Sequence, residues 1–182
     1  MTERVIVTLG DSLTEGSRWD ELDTTAKVIN FGLSGDTALG LYFRLNRVAL
    51  AKPSLIFLQI GINDLSQGRE PEELVKAHRR IWETLAGNCP LAQLVVCSLA
   101  PVRESKFLWV AQYLTNARVR ETNDLLVAAA REARLNYVDL YEPLADPNRE
   151  LYDRFTTDGV HLTPAAYEVW LKTLKDFLNG LE

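Results

Sequence analysis

The chain has 182 residues and a formal net charge of −5 at pH 7. That length suits one domain with a full hydrophobic core, so we expect a single domain over residues 1–182. The acidic balance and the lack of a dense Lys/Arg run argue against nucleic acid or an anionic membrane surface as partner.

Targeting and redox signals are sparse. No apolar run approaches the roughly 18 residues that a membrane-spanning helix needs, so we expect no integral membrane segment. The first ten residues, MTERVIVTLG, include an acid and a short apolar run, which is typical of a buried strand rather than a signal peptide. We therefore expect a cytoplasmic protein. Cys89 and Cys97 are too few to indicate a metal site, and a disulfide between them is the less favoured interpretation.

Apolar runs of strand length recur along the chain, with helical patterns between them. Continuous Val, Ile and Leu runs are typical of parallel strands that are covered on both faces. The predicted strands are 5–9, 27–31, 55–60, 94–99 and 137–140, and the predicted helices are 37–51, 72–85, 113–134 and 164–178.

This alternation of strand and helix with short connections predicts a parallel sheet built from crossover units. We expect an α/β fold, specifically a flavodoxin-like three-layer α/β/α sandwich around five parallel strands. In such sheets ligands bind beyond the carboxyl ends of the strands. The residues that follow each strand are therefore the candidates for chemistry.

The first three predicted strands each end in a segment that suits a reactive site. The first runs into TLGDSLTEG, where Gly10 permits a sharp exit and Ser12 is presented at the edge of the sheet. The second runs into NFGLSGDT, where no side chain shields the backbone N–H of Gly35. The third ends in QIGINDLS and places the amide of Asn63 at the same edge. Together they offer a hydroxyl nucleophile and neutral N–H donors.

The fifth predicted strand is followed by a long loop that contains FTTDGVHLT. Gly159 allows the chain to turn, so that the carboxylate of Asp158 can reach Nδ1 of His161 and leave Nε2 facing Ser12. A hydroxyl, an imidazole base, an orienting carboxylate and preorganised N–H donors are the groups that acyl transfer requires. The pattern therefore predicts nucleophilic ester chemistry.

These segments also carry a resemblance. GDSLT at 10–14, the Gly35 turn in NFGLSGDT, GIND at 61–64 and DGVHLT at 158–163 resemble, in order, the sequence blocks of GDSL-type or SGNH hydrolases. The G-x-S-x-G elbow of α/β-hydrolases is missing. The compact length is similar to that of the single-domain lysophospholipase-like and platelet-activating-factor-acetylhydrolase-like members.

The resemblance implies the SGNH hydrolase fold, no cofactor and no metal. It implies Ser12 as the nucleophile, His161 as the base and Asp158 as the group that orients the base. It further implies an oxyanion hole formed by the N–H of Ser12, the N–H of Gly35 and the side chain of Asn63.

The acyl pocket and the leaving group are less defined. Phe107, Leu108 and Trp109 form an apolar cluster that either lines a pocket for small to medium acyl chains or plugs the core. A small-molecule ester is the expected partner. Its leaving group could belong to a lysophospholipid, a thioester or an acetylated carbohydrate. The sequence leaves the oligomeric state open.

A different class of function is a non-enzymatic flavodoxin-like binding module. Asp11 and Asp64 loosely imitate a phospho-acceptor site, but residues 139–141 read Asp-Leu-Tyr where such a receiver needs a lysine. Acidic neighbours also suit a flavin phosphate poorly. We interpret Asp11 and Asp64 as carboxylates that accept backbone N–H bonds, and His78 as a solvated helix residue.

Overall fold

One sheet of five strands lies in the part of the chain that the computed structural model describes, residues 4–107 and 112–181. All neighbouring strands in it are parallel. Each strand lies on one of the five apolar runs, so the predicted strands are confirmed with ends shifted by one or two residues. They are β1 (Val5–Gly10), β2 (Lys27–Gly32), β3 (Leu55–Gln59), β4 (Gln93–Cys97) and β5 (Asn136–Val138).

The strand order is β2-β1-β3-β4-β5, which is the flavodoxin-like order. In the sheet, β2 lies on one side of β1, and β3 lies on the other side. The carboxyl ends of β1, β2 and β3 therefore lie next to one another, and Gly10 pairs in register with Gly32 and with Gln59. Every residue of β3 is buried, as expected for a strand covered on both faces.

The described helices alternate with the strands. Short 3-10 turns at Trp19–Glu21, Glu104–Lys106 and Asp153–Phe155 complete the connections. The α-helices are α1 (Ser12–Glu15), α2 (Ala38–Phe43), α3 (Leu45–Leu50), α4 (Ile62–Ser66), α5 (Pro71–Asn88), α6 (Asn116–Glu132), α7 (Tyr141–Leu144) and α8 (Pro164–Asn179).

The helix expected over 72–85 extends over Pro71–Asn88, and two other predicted helices differ from the observed ones by a break or a later start. The helix expected over 37–51 is interrupted at Arg44, whose backbone leaves the helical region and whose side chain turns toward the strand ends. The helix expected over 113–134 begins at Asn116, because Thr115 accepts the N–H of Arg118 and caps it there. Polar contacts of side chains fix both boundaries.

Helices cover both faces of the sheet, so the predicted three-layer α/β/α architecture is confirmed. The helices α2, α3 and α6 pack against α5 in one layer. On the other face α8 packs on the sheet, where the ring centroids of Phe177 and Phe57 are 5.9 Å apart in an edge-to-face contact. It also packs on the 3-10 turn, where the ring centroids of Trp170 and Trp19 are 5.2 Å apart. None of the helices in residues 4–107 and 112–181 has both the length and the apolar character that crossing a bilayer requires.

His78 is fully buried, and the prediction of a solvated histidine is wrong. Its Nε2–H donates to the carbonyl oxygen of Ile60 at 2.9 Å, and its ring packs against Trp82. Burial lowers the pKa of His78 to about 4, against the opposing effect of that hydrogen bond. The spacing from Leu74 and to Ile81 placed it on the apolar face of α5, which is the sequence signal that indicates burial.

Asp11 and Asp64 accept backbone N–H bonds at the carboxyl edge of the sheet, so their interpretation is confirmed. Oδ1 of Asp11 accepts the N–H of Leu13 at 3.0 Å and caps α1, and Oδ2 of Asp64 accepts the N–H of Ala38 at 2.8 Å. Asp64 is also paired with Arg69 at 2.9 Å. Because Asp11 is fully buried, it is a poor candidate for a phospho-acceptor.

Burial raises the pKa of Asp11 to about 7. The bond from Leu13 opposes this effect, while the negative charges of Asp64 and Asp36 add to it. Since the folded state binds this proton more tightly than the unfolded chain does, ionisation of Asp11 lowers the free energy of unfolding. The free energy of unfolding therefore falls as pH rises from 3.8, the ordinary pKa of an aspartate, to about 7, the pKa of Asp11 in the folded state.

Asp11→Asn keeps an oxygen for the N–H of Leu13 and removes the buried charge. We expect the free energy of unfolding of the variant, relative to wild type, to rise by about 2 kcal/mol between pH 5 and pH 8. Urea unfolding across that range measures it. Asp20→Asn, the same change at an exposed aspartate, is the control. A difference for Asp11→Asn that stays constant with pH would show that its carboxyl does not titrate in this range.

Candidate active site

Ser12 is the first residue of α1 and directly follows the end of β1 and the capping Asp11. The exit from β1 is tight: a Cβ added at Gly10 would lie 2.1 Å from the carbonyl oxygen of Gln59 and 2.2 Å from Oγ1 of Thr14. Only glycine fits there without displacing backbone. The turn therefore places the hydroxyl of Ser12 beyond the carboxyl edge of the sheet, as predicted.

His161 and Asp158 lie next to Ser12, although they are far from it in sequence. Nε2 of His161 is 3.2 Å from Oγ of Ser12, and Nδ1 is 2.6 Å from Oδ2 of Asp158. The side chain of His161 is 54% exposed, so the Ser–His pair is open to solvent. The structure thus brings together all three residues that were predicted as catalytic.

The carboxylate of Asp158 is held on both oxygens. Oδ2 accepts Nδ1–H of His161, while Oδ1 accepts the backbone N–H groups of Val160 at 3.0 Å and His161 at 2.8 Å. Partial burial alone would raise the pKa of Asp158, but the His161 ring and these two N–H groups together hold it below its usual value. A carboxylate in this environment is ionised near neutral pH and fixes the proton of His161 on Nδ1.

Gly159 allows the Asp158–His161 loop to adopt this shape. Its φ of +92° belongs to the region that favours glycine, and its N–H donates to Oγ1 of Thr156 at 2.9 Å. An added Cβ would lie 2.5 Å from the carbonyl oxygen of Arg103 and 2.7 Å from the ring of Phe107. The loop therefore packs directly on residues 103–107.

Phe107 is the only member of the predicted apolar cluster within the described residues. It is partly buried and packed against the hydrophobic core, and its ring lies against the backbone of Gly159. Leu108 and Trp109 lie outside the described residues. A pocket formed by 107–109 stays a prediction, while Phe107 lies beside the Asp158–His161 loop.

The predicted oxyanion donors follow the adjacent carboxyl ends of β1, β2 and β3. Gly35 has a φ of +75°, and an added Cβ there would meet no atom within 4 Å, so the turn faces open space. Within the described part of the chain, the backbone N–H groups of Ser12 and Gly35 have no hydrogen-bond acceptor. Nδ2 of Asn63 donates one hydrogen to the carbonyl oxygen of Asp36 at 2.9 Å and carries a second hydrogen. Three donors are thus left for a ligand.

Sequence reasoning missed two charged side chains that hold these turns. The carboxylate of Glu15 accepts the N–H of Ser34 at 2.9 Å and also its hydroxyl. Arg44 binds the ends of β1 and β2. The signal for Arg44 was its position three residues after Leu41 and four before Val48, which places a charged residue on the apolar face of a helical pattern.

The chain is similar to known proteins over nearly all of its length. Platelet-activating factor acetylhydrolase IB subunit alpha2 from Rattus norvegicus is 26% identical over 182 residues, covering 97% of this chain and 76% of the relative. A GDSL-like lipase from Bacteroides thetaiotaomicron superposes with a TM-score of 0.84 at 22% identity, over 98% of this chain and 89% of that one. A lipase/acylhydrolase from Enterococcus faecalis gives 0.79 at 23% identity, over 97% and 96%. At these identities the two structures show the shared fold.

The family assignment rests on a match that covers most of the chain. Residues 8–169 match the model of the GDSL-like Lipase/Acylhydrolase family, a span that includes the strand ends and the Asp158–His161 loop described above. The chain belongs to the GDSL-like lipase/acylhydrolase family, a family of carboxylic ester hydrolases.

Proposed function

We propose that this chain is a serine hydrolase that cleaves carboxylic esters of small to medium acyl groups through a covalent acyl-enzyme on Ser12. The observation that carries the proposal is the continuous hydrogen-bonded path from Oγ of Ser12 through the ring of His161 to Oδ2 of Asp158. Serine is a weak nucleophile until a base removes its proton, and this path supplies the base and its orienting carboxylate.

In the acylation step, Oγ of Ser12 attacks the ester carbonyl carbon while Nε2 of His161 accepts the hydroxyl proton. The resulting imidazolium is stabilised by the ionised carboxylate of Asp158, which already holds Nδ1–H. Collapse of the tetrahedral intermediate breaks the bond to the alkoxy group, and His161 returns the proton to the leaving alcohol. Water then repeats the sequence and releases the acid.

The negative charge on the intermediate falls on the former carbonyl oxygen. The N–H groups of Ser12 and Gly35, which have no acceptor among the described residues, and the second amide hydrogen of Asn63 are the donors for it. Such preorganised donors contribute about 2.7–4 kcal/mol each in known enzymes, because they need no reorganisation as the charge develops. These donors therefore act mainly on the transition state rather than on substrate binding.

The open surroundings of His161 leave room for a range of leaving groups. A relative named as an acetylhydrolase supports a short acyl group. We therefore propose small and medium acyl esters as substrates. Lysophospholipid, thioester and acetylated carbohydrate substrates are alternatives that share the same chemistry and differ in the leaving group.

Replacement of Ser12 by alanine removes the nucleophile and leaves the turn intact. We expect Ser12→Ala to lower kcat for p-nitrophenyl esters, from acetate to decanoate, by at least about 10³-fold. The free energy of unfolding should be nearly unchanged. Ser54→Ala is the matched control, because Ser54 precedes β3 at the opposite edge of the sheet. Equal activity of Ser12→Ala and wild type would rule out Ser12 as nucleophile.

Replacement of Asn63 by alanine removes one oxyanion donor. We expect kcat to fall by about 10²–10³-fold while KM changes by no more than a few-fold, because the bond forms mainly in the transition state. Steady-state kinetics on the best p-nitrophenyl ester separates the two constants. Asn46→Ala on α3, an exposed asparagine, provides the control. If kcat is retained, Asn63 does not belong to the oxyanion hole.

A further inference from the structure

We propose that Arg44 is a positioning residue that aligns the three oxyanion donors by holding together the chain segments that carry them. This inference rests on the proposed function, since it assigns Arg44 to the oxyanion hole of that reaction. Among the described residues, the side chain of Arg44 hydrogen-bonds to Gly10, Phe31 and Asp36 and not to Ser12, Asp158, His161 or the donor groups. Its role is exerted through the backbone and through one carboxylate.

The guanidinium of Arg44 contacts three separate segments at once. Nη2 donates to the carbonyl oxygen of Gly10 at 2.9 Å, Nη1 to the carbonyl oxygen of Phe31 at 2.8 Å and Nε to Oδ2 of Asp36 at 2.7 Å. The side chain of Arg44 is 15% exposed and that of Asp36 is 6% exposed. These are short, mostly buried, charge-assisted bonds, which hold geometry more strictly than exposed ion pairs do.

Each of the three contacts leads to one oxyanion donor. Gly10 ends β1 two residues before Ser12. Phe31 lies in β2 and leads into the turn that carries Gly35, while the N–H of Leu33 in that turn also donates to Gly10. The carbonyl oxygen of the residue after Gly35, Asp36, accepts Nδ2 of Asn63, so the same aspartate orients the third donor.

Charge explains why a cation, rather than a neutral donor, occupies this position. Burial is the largest cause of the raised pKa of Asp11, and the negative charges of Asp64 and Asp36 contribute to it, so the three carboxylates interact. Negative charge at this edge opposes the developing oxyanion. Arg44 is paired with Asp36, and Arg69 is paired with Asp64. The Arg44 ion pair thus aligns the donors without adding net negative charge beside them.

Lysine retains the charge of arginine but not its shape. The guanidinium is planar and carries five N–H donors in a fixed fork, whereas an ammonium group is a point charge on a flexible stem. A lysine at position 44 cannot reach Gly10, Phe31 and Asp36 together in the observed geometry. Arg44→Lys therefore separates positioning from charge.

We expect Arg44→Lys to lower kcat for the best p-nitrophenyl ester by roughly 10- to 100-fold while KM stays within about twofold, since displacement of donors by about 1 Å costs on this scale. The control is Arg47→Lys, the same substitution at an exposed arginine three residues along the chain, with activity equal to wild type. A folded Arg44→Lys protein with kcat within twofold of wild type would overturn the proposal.

A measurement that does not depend on turnover keeps this proposal separate from the proposed function. In ¹H–¹⁵N spectra, Arg44→Lys should shift or broaden the backbone amide resonance of Gly35 and the side-chain amide resonances of Asn63, while Arg47→Lys leaves them in place. Resonances that do not move in Arg44→Lys refute the positioning role. If wild type hydrolyses no ester, the proposed function fails, and these spectra still test whether Arg44 holds the turns.

Asp36→Asn serves if Arg44→Lys does not fold. It keeps an oxygen for Nε of Arg44 and leaves the backbone carbonyl that binds Asn63, but it weakens the central bond of the network. Loss of the Asp36 charge by itself would favour the oxyanion and raise kcat. A several-fold lower kcat with unchanged KM therefore supports positioning, whereas an equal or higher kcat refutes it.

Discussion

Parallel pairing of β1 with both β2 and β3 is the constraint on which the rest of this structure depends. It places three carboxyl ends side by side, in the register that pairs Gly10 with Gly32 and with Gln59. Ser12 follows the first strand, the Gly35 turn follows the second and Asn63 follows the third. Groups that are far apart along the chain therefore share the carboxyl edge of the sheet.

The same edge of the sheet also carries three buried carboxyl groups. Asp11, Asp36 and Asp64 all cap or brace turns at the strand ends, and all three are buried. Asp36 is paired with Arg44 and Asp64 with Arg69, while burial raises the pKa of both Asp11 and Asp64. The fold tolerates three buried carboxylates because each accepts backbone N–H groups, and because full ionisation of all three without partners is avoided.

The loop from Asp158 to His161 is shaped by different means from the turns that follow β1 and β2. The carboxylate of Asp158 accepts the backbone N–H groups of Val160 and His161 in the same loop. Gly159 adopts a positive φ that other residues rarely adopt. The ring of Phe107 and the carbonyl oxygen of Arg103 pack closely against Gly159. His161 is thus held by hydrogen bonds within its own loop and by the packing of residues 103–107 on that loop.

The sequence by itself determined the strand runs, the flavodoxin-like layering and the identity of the residues that meet at Ser12, because these depend on local pattern and on the common edge of a parallel sheet. Only the tertiary structure decided the break at Arg44, the hydrogen-bond partner of the buried His78 and the bond from Asn63 to Asp36. Each of these depends on a partner brought from a distant element: the ends of β1 and β2, the carbonyl of Ile60 and the carbonyl of Asp36. Periodicity identifies which face of a helix is apolar. Only the packed chain shows which distant polar atom bonds to a polar side chain on that face.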